Sequence, residues 1–110
     1  MRIAVIGGAG AMGRTTVRDL SESSKVKEIL IADYRGEKAR EYAASFKDSR
    51  IQGSFVDAYK IDETANLIRE YDAVINAAQY DVNINVMRAC LKAGCHYNDL
   101  GVCSILLENS

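Results

Sequence analysis

Two apolar patterns alternate along the chain. Continuous short runs occur at Ile3–Ile6, at Ile29, Leu30, Ile31 and Ala32 within Val26–Asp33, and at Ala73–Ala77. A continuous run, unlike an alternating one, marks a strand covered on both faces, as in a parallel sheet. Between these runs, apolar residues recur at helical spacing: Gly13, Val17 and Leu20; Ala39, Tyr42, Ala43 and Phe46; Ala65, Ile68 and Tyr71; Val82, Val86, Ala89 and Ala93. Ile51–Val56 reads as a third strand ending at Asp57, and Cys95–Leu100 as a fifth. Ser21–Lys25 is a polar break after the first helix, Asp62 suits the N-cap of the third, and Gly94 stands where a left-handed stop ends the fourth, just after Lys92. Glu37, Lys38, Arg40 and Glu41 lie opposite the apolar stripe of the second helix and read as a solvated face.

Five strands alternating with four helices predict an α/β fold of the Rossmann type. This is a doubly wound parallel sheet in the order 3-2-1-4-5, with right-handed crossovers and helices on both faces. Such sheets bind ligands at the carboxyl ends of their strands, where the order reverses between the first and the fourth. The residues that follow each strand are therefore the ones that bear on chemistry.

After the first strand comes a glycine cluster, Gly7, Gly8, Gly10 and Gly13, which opens into the first helix. Gly8 is expected to permit a sharp turn, Gly10 to leave room for a pyrophosphate, and Gly13 to let helix and strand pack closely, with Ala11 and Met12 at the helix start beside the anion. Asp33 stands 20 positions after Gly13, where a dinucleotide-binding unit keeps the acid that accepts hydrogen bonds from the adenosine ribose. Its charge would repel a 2′-phosphate, which favours NAD over NADP. Tyr34 and Arg35 follow; Arg35 suits a 2′-phosphate, adenine stacking or a plain solvent-facing turn. Asp57 suits either a hydrogen bond to adenine or a turn. Asn76, Ala77 and Ala78 either let the backbone approach the nicotinamide half of a cofactor or simply end a buried strand. Tyr97, Asn98 and Asp99, judged as residues alone, read as ordinary strand-end polarity. No catalytic group emerges, because hydride transfer also needs a positioned substrate and a proton donor or acceptor.

Composition narrows the partners. The 110 residues carry a net charge of -1, with 48% hydrophobic and 26% charged residues, as expected of one folded domain. No basic surplus points to nucleic acid, and no uncharged stretch nears the ~20 apolar residues of a membrane span. Three cysteines, Cys90, Cys95 and Cys103, without C-x-x-C spacing suit a reducing cytoplasm better than a disulfide framework or zinc site. His96 beside Cys95 makes no metal site, because neighbours on a strand point to opposite faces.

The succession VIGGAGAMGR, IADYRGEKA, VDAYK, YDAVINAA and VMRACLKAGCHYNDLG resembles the amino-terminal cofactor domain of the saccharopine dehydrogenase family, which includes saccharopine reductases, lysine dehydrogenases and carboxynorspermidine dehydrogenase. The likeness runs from Arg2 to Gly101, and its most specific parts are VINAA and the Ala93–Gly101 stretch. Gln79 and Val102 stand where family members often carry proline and glycine. The resemblance implies an NAD(P)-binding domain over 1–101 of an oxidoreductase acting on an amino-acid C–N bond, with Asn76, Ala77, Ala78, Tyr97 and Asp99 bordering the nicotinamide. It also implies a separate domain for a small amino-acid-type substrate, which this chain lacks and without which it is expected to be inactive. Residues 102–110 form a tail without a family match; its Val102, Ile105, Leu106 and Leu107 suit packing on the sheet edge or on a second protomer of a homodimer. Two alternatives are a stand-alone nucleotide-sensing module and a reductase like the dihydrodipicolinate reductases, whose G-x-x-G-x-x-G register Gly7, Gly10 and Gly13 also satisfy.

Overall fold

The structure, a computed structural model, describes residues 1–77 and 83–99. Strands and helices alternate without exception: β1 (Arg2–Ile6), α1 (Ala11–Ser21), β2 (Glu28–Asp33), α2 (Gly36–Ser45), β3 (Ile51–Phe55), α3 (Ile61–Ile68), β4 (Ala73–Asn76), α4 (Asn83–Ala93) and β5 (His96–Asp99). All neighbours pair in parallel, in the order β3-β2-β1-β4-β5, as the apolar runs predict. β1 is central. Its last residue, Ile6, lies in register with Ala32 of β2 and Asn76 of β4, so the chain leaves β1 into the crevice where the strand order reverses.

The alternation of side chains along each strand divides the core in two. Ile3, Val5, Ile29 and Ile31 point to one face, where Val17 of α1 and Ala39 and Ala43 of α2 cover them. Ala4, Ile6, Leu30 and Ala32 point to the other, against Ala65 and Ile68 of α3 and Val86, Ala89 and Cys90 of α4. With both faces covered, β1 and β2 have no polar side, and this explains their continuous apolar sequences. α2 lies unusually close to β3: a Cβ on Gly53 would come within 2.5 Å of the backbone of Ala39 and Arg40.

Several boundaries differ from the sequence pattern. α3 starts directly out of the turn in which the Lys60 N–H bonds to the Asp57 carbonyl, and Thr64 Oγ1 donates to the Lys60 carbonyl at 2.9 Å. Lys60 is therefore the N-cap, and Asp62 sits inside the first turn, where it pairs with Lys92 of α4. Tyr71 falls beyond the end of α3 yet still packs on its core face. Gly94 takes a left-handed φ of 78° after α4, the stop expected there. Val82, Leu100 and the 102–110 tail lie outside the described residues. Among the described residues, no helix is long and apolar enough to cross a membrane.

At the sheet's amino-terminal end, Arg50 ties two connections together. Its guanidinium donates to the carbonyls of Ser21 (2.6 Å), Ser23 (3.0 Å) and Val26 (2.9 Å) and pairs with Asp48 at 2.6 Å. Hydrogen bonds to Asp48 from the Arg50 side chain, and then from the Arg50 N–H, hold the Asp48 carboxyl below the usual carboxylate range.

Candidate functional site

The candidate site lies at the carboxyl end of the sheet, where the residues that follow β1, β2 and β3, with Ala77 after β4, line a common crevice. The loop after β1 is built by three different demands on glycine. Gly7 has the positive φ, 77°, and so makes the sharp turn that the sequence pattern assigned to Gly8; its N–H bonds to the Ala32 carbonyl at 2.7 Å. Gly8 is needed for space, since a Cβ there would meet Ile31 Cγ2 at 2.7 Å. Gly13 is needed for the approach of α1: its Cβ would lie 2.3 Å from the Gly7 carbonyl oxygen and 2.5 Å from Gly8 Cα. Gly10 is different. A Cβ there would meet nothing closer than 3.5 Å, an ordinary contact distance, so no close protein neighbour requires its side chain to be missing.

Gly10 is also the N-cap of α1, which has no side-chain cap and no acidic residue in its first turn. A helix start of this kind presents backbone N–H groups and the positive end of its dipole without a competing carboxylate. An anion is the natural complement.

Asp33 holds the loop in place from β2. The residue is only 6% exposed; Oδ2 accepts the Ala9 N–H at 3.1 Å, and Oδ1 accepts from the Arg35 N–H at 2.9 Å and from Arg35 Nε at 3.4 Å. One carboxylate thus links the end of β2, the glycine loop and the start of α2. With three of the about four acceptor positions of an ionised carboxylate taken, Oδ2 retains capacity for one further donor.

A cavity of about 670 Å³ opens above these groups, within the ~300–1,000 Å³ range of small-molecule sites. Ile6, Gly7, Gly10 and Ala77 form its wall at the β1/β4 crevice, and Asp33, Tyr34 and Arg35 its wall at β2. The third wall, after β3, consists of Val56, Asp57, Ala58 and Tyr59. Asp57 is partly committed to its own turn, accepting the Tyr59 N–H on Oδ1 at 3.1 Å. Tyr34 is 70% exposed and contacts the Phe55 ring, with centroids 5.6 Å apart. Tyr59, also exposed, was not singled out in the sequence, although it lies in the VDAYK stretch; a tyrosine in a loop four residues past a strand end carries no signal of its own.

The remaining predicted residues divide in three ways. Ala11 and Met12 begin α1 but line neither of the two cavities described in this section. Asn76 ends β4 with its side chain fully buried, in register with Ile6 on one side and Asp99 on the other. Tyr97 lies within β5 beside Val74. Ala78 lies outside the described residues.

A second cavity of about 370 Å³ lies between α1 and α2, lined by Arg14, Lys38, Glu41 and Tyr42 and sharing Arg35 with the first. Lys38 and Glu41 are exposed, as expected of a solvated face, and also border this groove. The Arg14 guanidinium lies over the Tyr42 ring, 4.4 Å from its centroid, and the Tyr42 hydroxyl donates to the Arg14 carbonyl at 2.8 Å.

The cysteines stand apart from this chemistry. Cys90 is buried against the α3/α4 core, and burial, with a smaller contribution from Cys95, pushes its thiol up to about 12. Cys95 Sγ donates to the carbonyls of Ile68 and Tyr71, and burial raises its pKa as well. Neither is an activated thiolate.

The whole arrangement suits a dinucleotide. A side-chain-free anion cradle opens at a helix start, a buried acid stands one strand over, and an aromatic-edged cavity of adequate volume joins them. Comparison with known proteins agrees. A family model described as the saccharopine dehydrogenase NADP binding domain matches residues 3–109. Carboxyaminopropylagmatine dehydrogenase of Synechocystis sp. is 28% identical over 97 residues, which cover 86% of this chain and 24% of that protein. Among solved structures, apo saccharopine dehydrogenase (L-Glu forming) from Saccharomyces cerevisiae aligns with a TM-score of 0.81 at 15% identity, over 98% of this chain and 23% of that one. A probable dehydrogenase from Thermotoga maritima aligns with a TM-score of 0.70 at 24% identity, over 90% and 27%. At these identities the structural matches show the shared fold. The chain spans about a quarter of the length of these relatives.

Proposed function

The chain belongs to the saccharopine dehydrogenase family, as its NADP-binding domain, and on that premise we propose that it is the cofactor-holding part of an oxidoreductase that makes or breaks the C–N bond of an amino acid or its imine. The nicotinamide dinucleotide, when bound, supplies or accepts the hydride. The chain's own residues bind and orient it. The open face of Gly10 and the uncapped start of α1 receive the pyrophosphate, Asp33 accepts hydrogen bonds from the adenosine ribose, and Tyr34, Asp57 and Tyr59 border the adenine. Ala77, at the β1/β4 crevice, leads toward the nicotinamide half, and Asn76, Ala78, Tyr97 and Asp99 belong to that side by resemblance.

The observation that carries this reading is the cavity itself, which joins Gly10 and Asp33 in one space at the strand-order reversal. No described residue in it is placed to recognise an amino acid. We assign that task, with the proton transfer that accompanies hydride transfer, to a further domain of the kind the longer relatives have length for. A cytoplasmic setting accords with Cys90 and Cys95 as free thiols.

Titration of the chain with NADH and NADPH, followed by nicotinamide fluorescence or calorimetry, tests the proposal. Saturable binding is expected, and Asp33→Asn, which keeps one acceptor for the Ala9 N–H, is expected to weaken it by about tenfold through lost charge-assisted hydrogen bonds. Absence of saturable binding of either dinucleotide at millimolar concentration would refute it.

A further inference from the structure

Building on the dinucleotide reading, we propose that Phe55, which stands outside the cavity, is a positioning residue for the adenine: its ring braces Tyr34, so that the Tyr34 ring presents a fixed stacking face to the base. Among the described residues that line the cavity, Tyr34 and Tyr59 are the aromatic ones. Tyr34 directly follows Asp33, the acid assigned to the ribose, and a base carried by that ribose comes within reach of its ring. The ring is 70% exposed, and its one ring contact among the described residues is Phe55, with centroids 5.6 Å apart and planes at 49°. That distance and tilt fall in the range, ~4.5–7 Å, in which aromatic pairs attract beyond their buried area.

Phe55 does little for the core. It ends the edge strand β3 at 52% exposure and, among the described residues, belongs to the core of neither face of the sheet. Its backbone is nevertheless held firmly. Phe55 lies in register with Asp33, the next residue's N–H, that of Val56, bonds to the Asp33 carbonyl at 3.0 Å, and the start of α2 closes on it so tightly that a Cβ on Gly36 would come within 2.9 Å of Phe55 Cβ. The backbone on either side of Tyr34 is held as well, by the pairing of Asp33 and by the Arg35 N–H on Asp33 Oδ1. One strand register thus fixes the ribose acid, the tyrosine and the ring that backs the tyrosine.

Preorganisation is what the contact supplies. An exposed tyrosine loses rotamer freedom when a base stacks on it, and contact with Phe55 takes part of that loss before the ligand arrives. Stacking itself needs only the π-face of the base, so it adds to the hydrogen bonds of the ribose without competing for them.

A double-mutant cycle on the binding of NADH and 5′-AMP tests the proposal, with the unaltered chain, Tyr34→Ala, Phe55→Ala and the double variant. Tyr34→Ala should weaken both ligands by about fivefold or more, the range of base–aromatic stacking. Phe55→Ala should weaken both by about threefold to tenfold, the range of an aromatic pair, and in the Tyr34→Ala background its effect should fall below about twofold. Phe55→Leu, which keeps an apolar side chain on the strand but loses the ring, should behave like Phe55→Ala, and Phe55→Tyr, which keeps the ring, like the unaltered chain. The H2 and H8 protons of bound 5′-AMP should shift upfield by ring current, and less so in Tyr34→Ala and Phe55→Ala, a signature that lost stability alone would not produce. A Phe55→Ala chain that binds as tightly as the unaltered one, or a loss as large without Tyr34 as with it, would overturn the bracing role and leave the dinucleotide reading standing. Failure of the unaltered chain to bind either ligand would overturn the two together.

Discussion

Replacing Gly13 or Gly10 by alanine separates what the glycine loop does for the fold from what it does for the ligand. At Gly13 the new Cβ would lie 2.3 Å from the Gly7 carbonyl oxygen and 2.5 Å from Gly8 Cα, about 1 Å inside the ~3.5 Å at which carbon atoms pack best. Both are backbone atoms, so no side chain can rotate away and the loop itself must move. Overpacking of this kind costs about 1–3 kcal/mol, while the better helix propensity of alanine returns about 1 kcal/mol. The balance is a loss of up to about 2 kcal/mol, or up to about 8–16 °C in melting temperature for a domain of this size. At Gly10 the nearest atoms stand at 3.5 and 3.8 Å and φ is -80°, so alanine fits. Its cost is limited to about 1 kcal/mol from the poorer N-cap, but its methyl group enters the cavity that Gly10 lines. Gly10→Ala is therefore expected to weaken dinucleotide binding by about tenfold or more with a stability loss of no more than about 1 kcal/mol, and Gly13→Ala to reduce both. Thermal melts by circular dichroism, paired with fluorescence titration of NADPH, read the two quantities separately. Undiminished binding by Gly10→Ala, or a Gly13→Ala protein as stable as the parent, would refute the division of roles.

Two further outcomes follow from groups with displaced pKa values. The carboxyl of Asp48 is held low by the Arg50 side chain and then by its N–H, so the stability it confers is complete above pH ~4, the unfolded value, and is lost as the pH falls through the folded value. Asp48→Asn should accordingly be less stable than the parent at pH 6, with the difference narrowing toward pH 3 in urea titrations; a gap that stays constant with pH would count against the pairing. Cys90, at about 12, holds only about one part in ten thousand as thiolate at pH 8. Iodoacetamide should leave it unlabelled in the native protein and label it in urea, as read by peptide mass mapping, and native labelling at the rate of a free thiol would contradict its burial.

Which parts were legible in the sequence follows from how local their causes are. β1 and β2 announce themselves because burial on both faces leaves only apolar residues at Ile3–Ile6 and Ile29–Ala32, and Gly94 because a left-handed helix stop is a single-residue requirement. β3, with the sequence IQGSF, is much less apolar; its glycine serves contact with Ala39 of α2, a relation no window of neighbouring residues reveals. The same holds in the site. Asp33 could be placed from its spacing to Gly13, but its grip on the Ala9 N–H depends on the fold. The positive φ falls on Gly7, whereas Gly8 is needed for its lack of a side chain beside Ile31, a contact between β2 and the loop that only the fold creates. Arg14 and Lys38 belong to different helices, and each alone is an ordinary surface cation. Only the packing of α1 beside α2 turns them into one groove.

The central place of β1 also bears on how the chain folds as it is made. β1 is complete at Ile6, and β2 can cover one of its edges once Asp33 has emerged, but the other edge belongs to β4, which ends at Asn76. At ~5–20 residues per second, those 70 intervening residues leave one side of the most apolar strand unpaired for roughly 4–14 s of synthesis. An open strand edge is a template for any other extended chain nearby. The strand on which the cofactor site is built is thus the part of the nascent protein most exposed to mispairing, and its safety depends on the last third of the domain arriving in time.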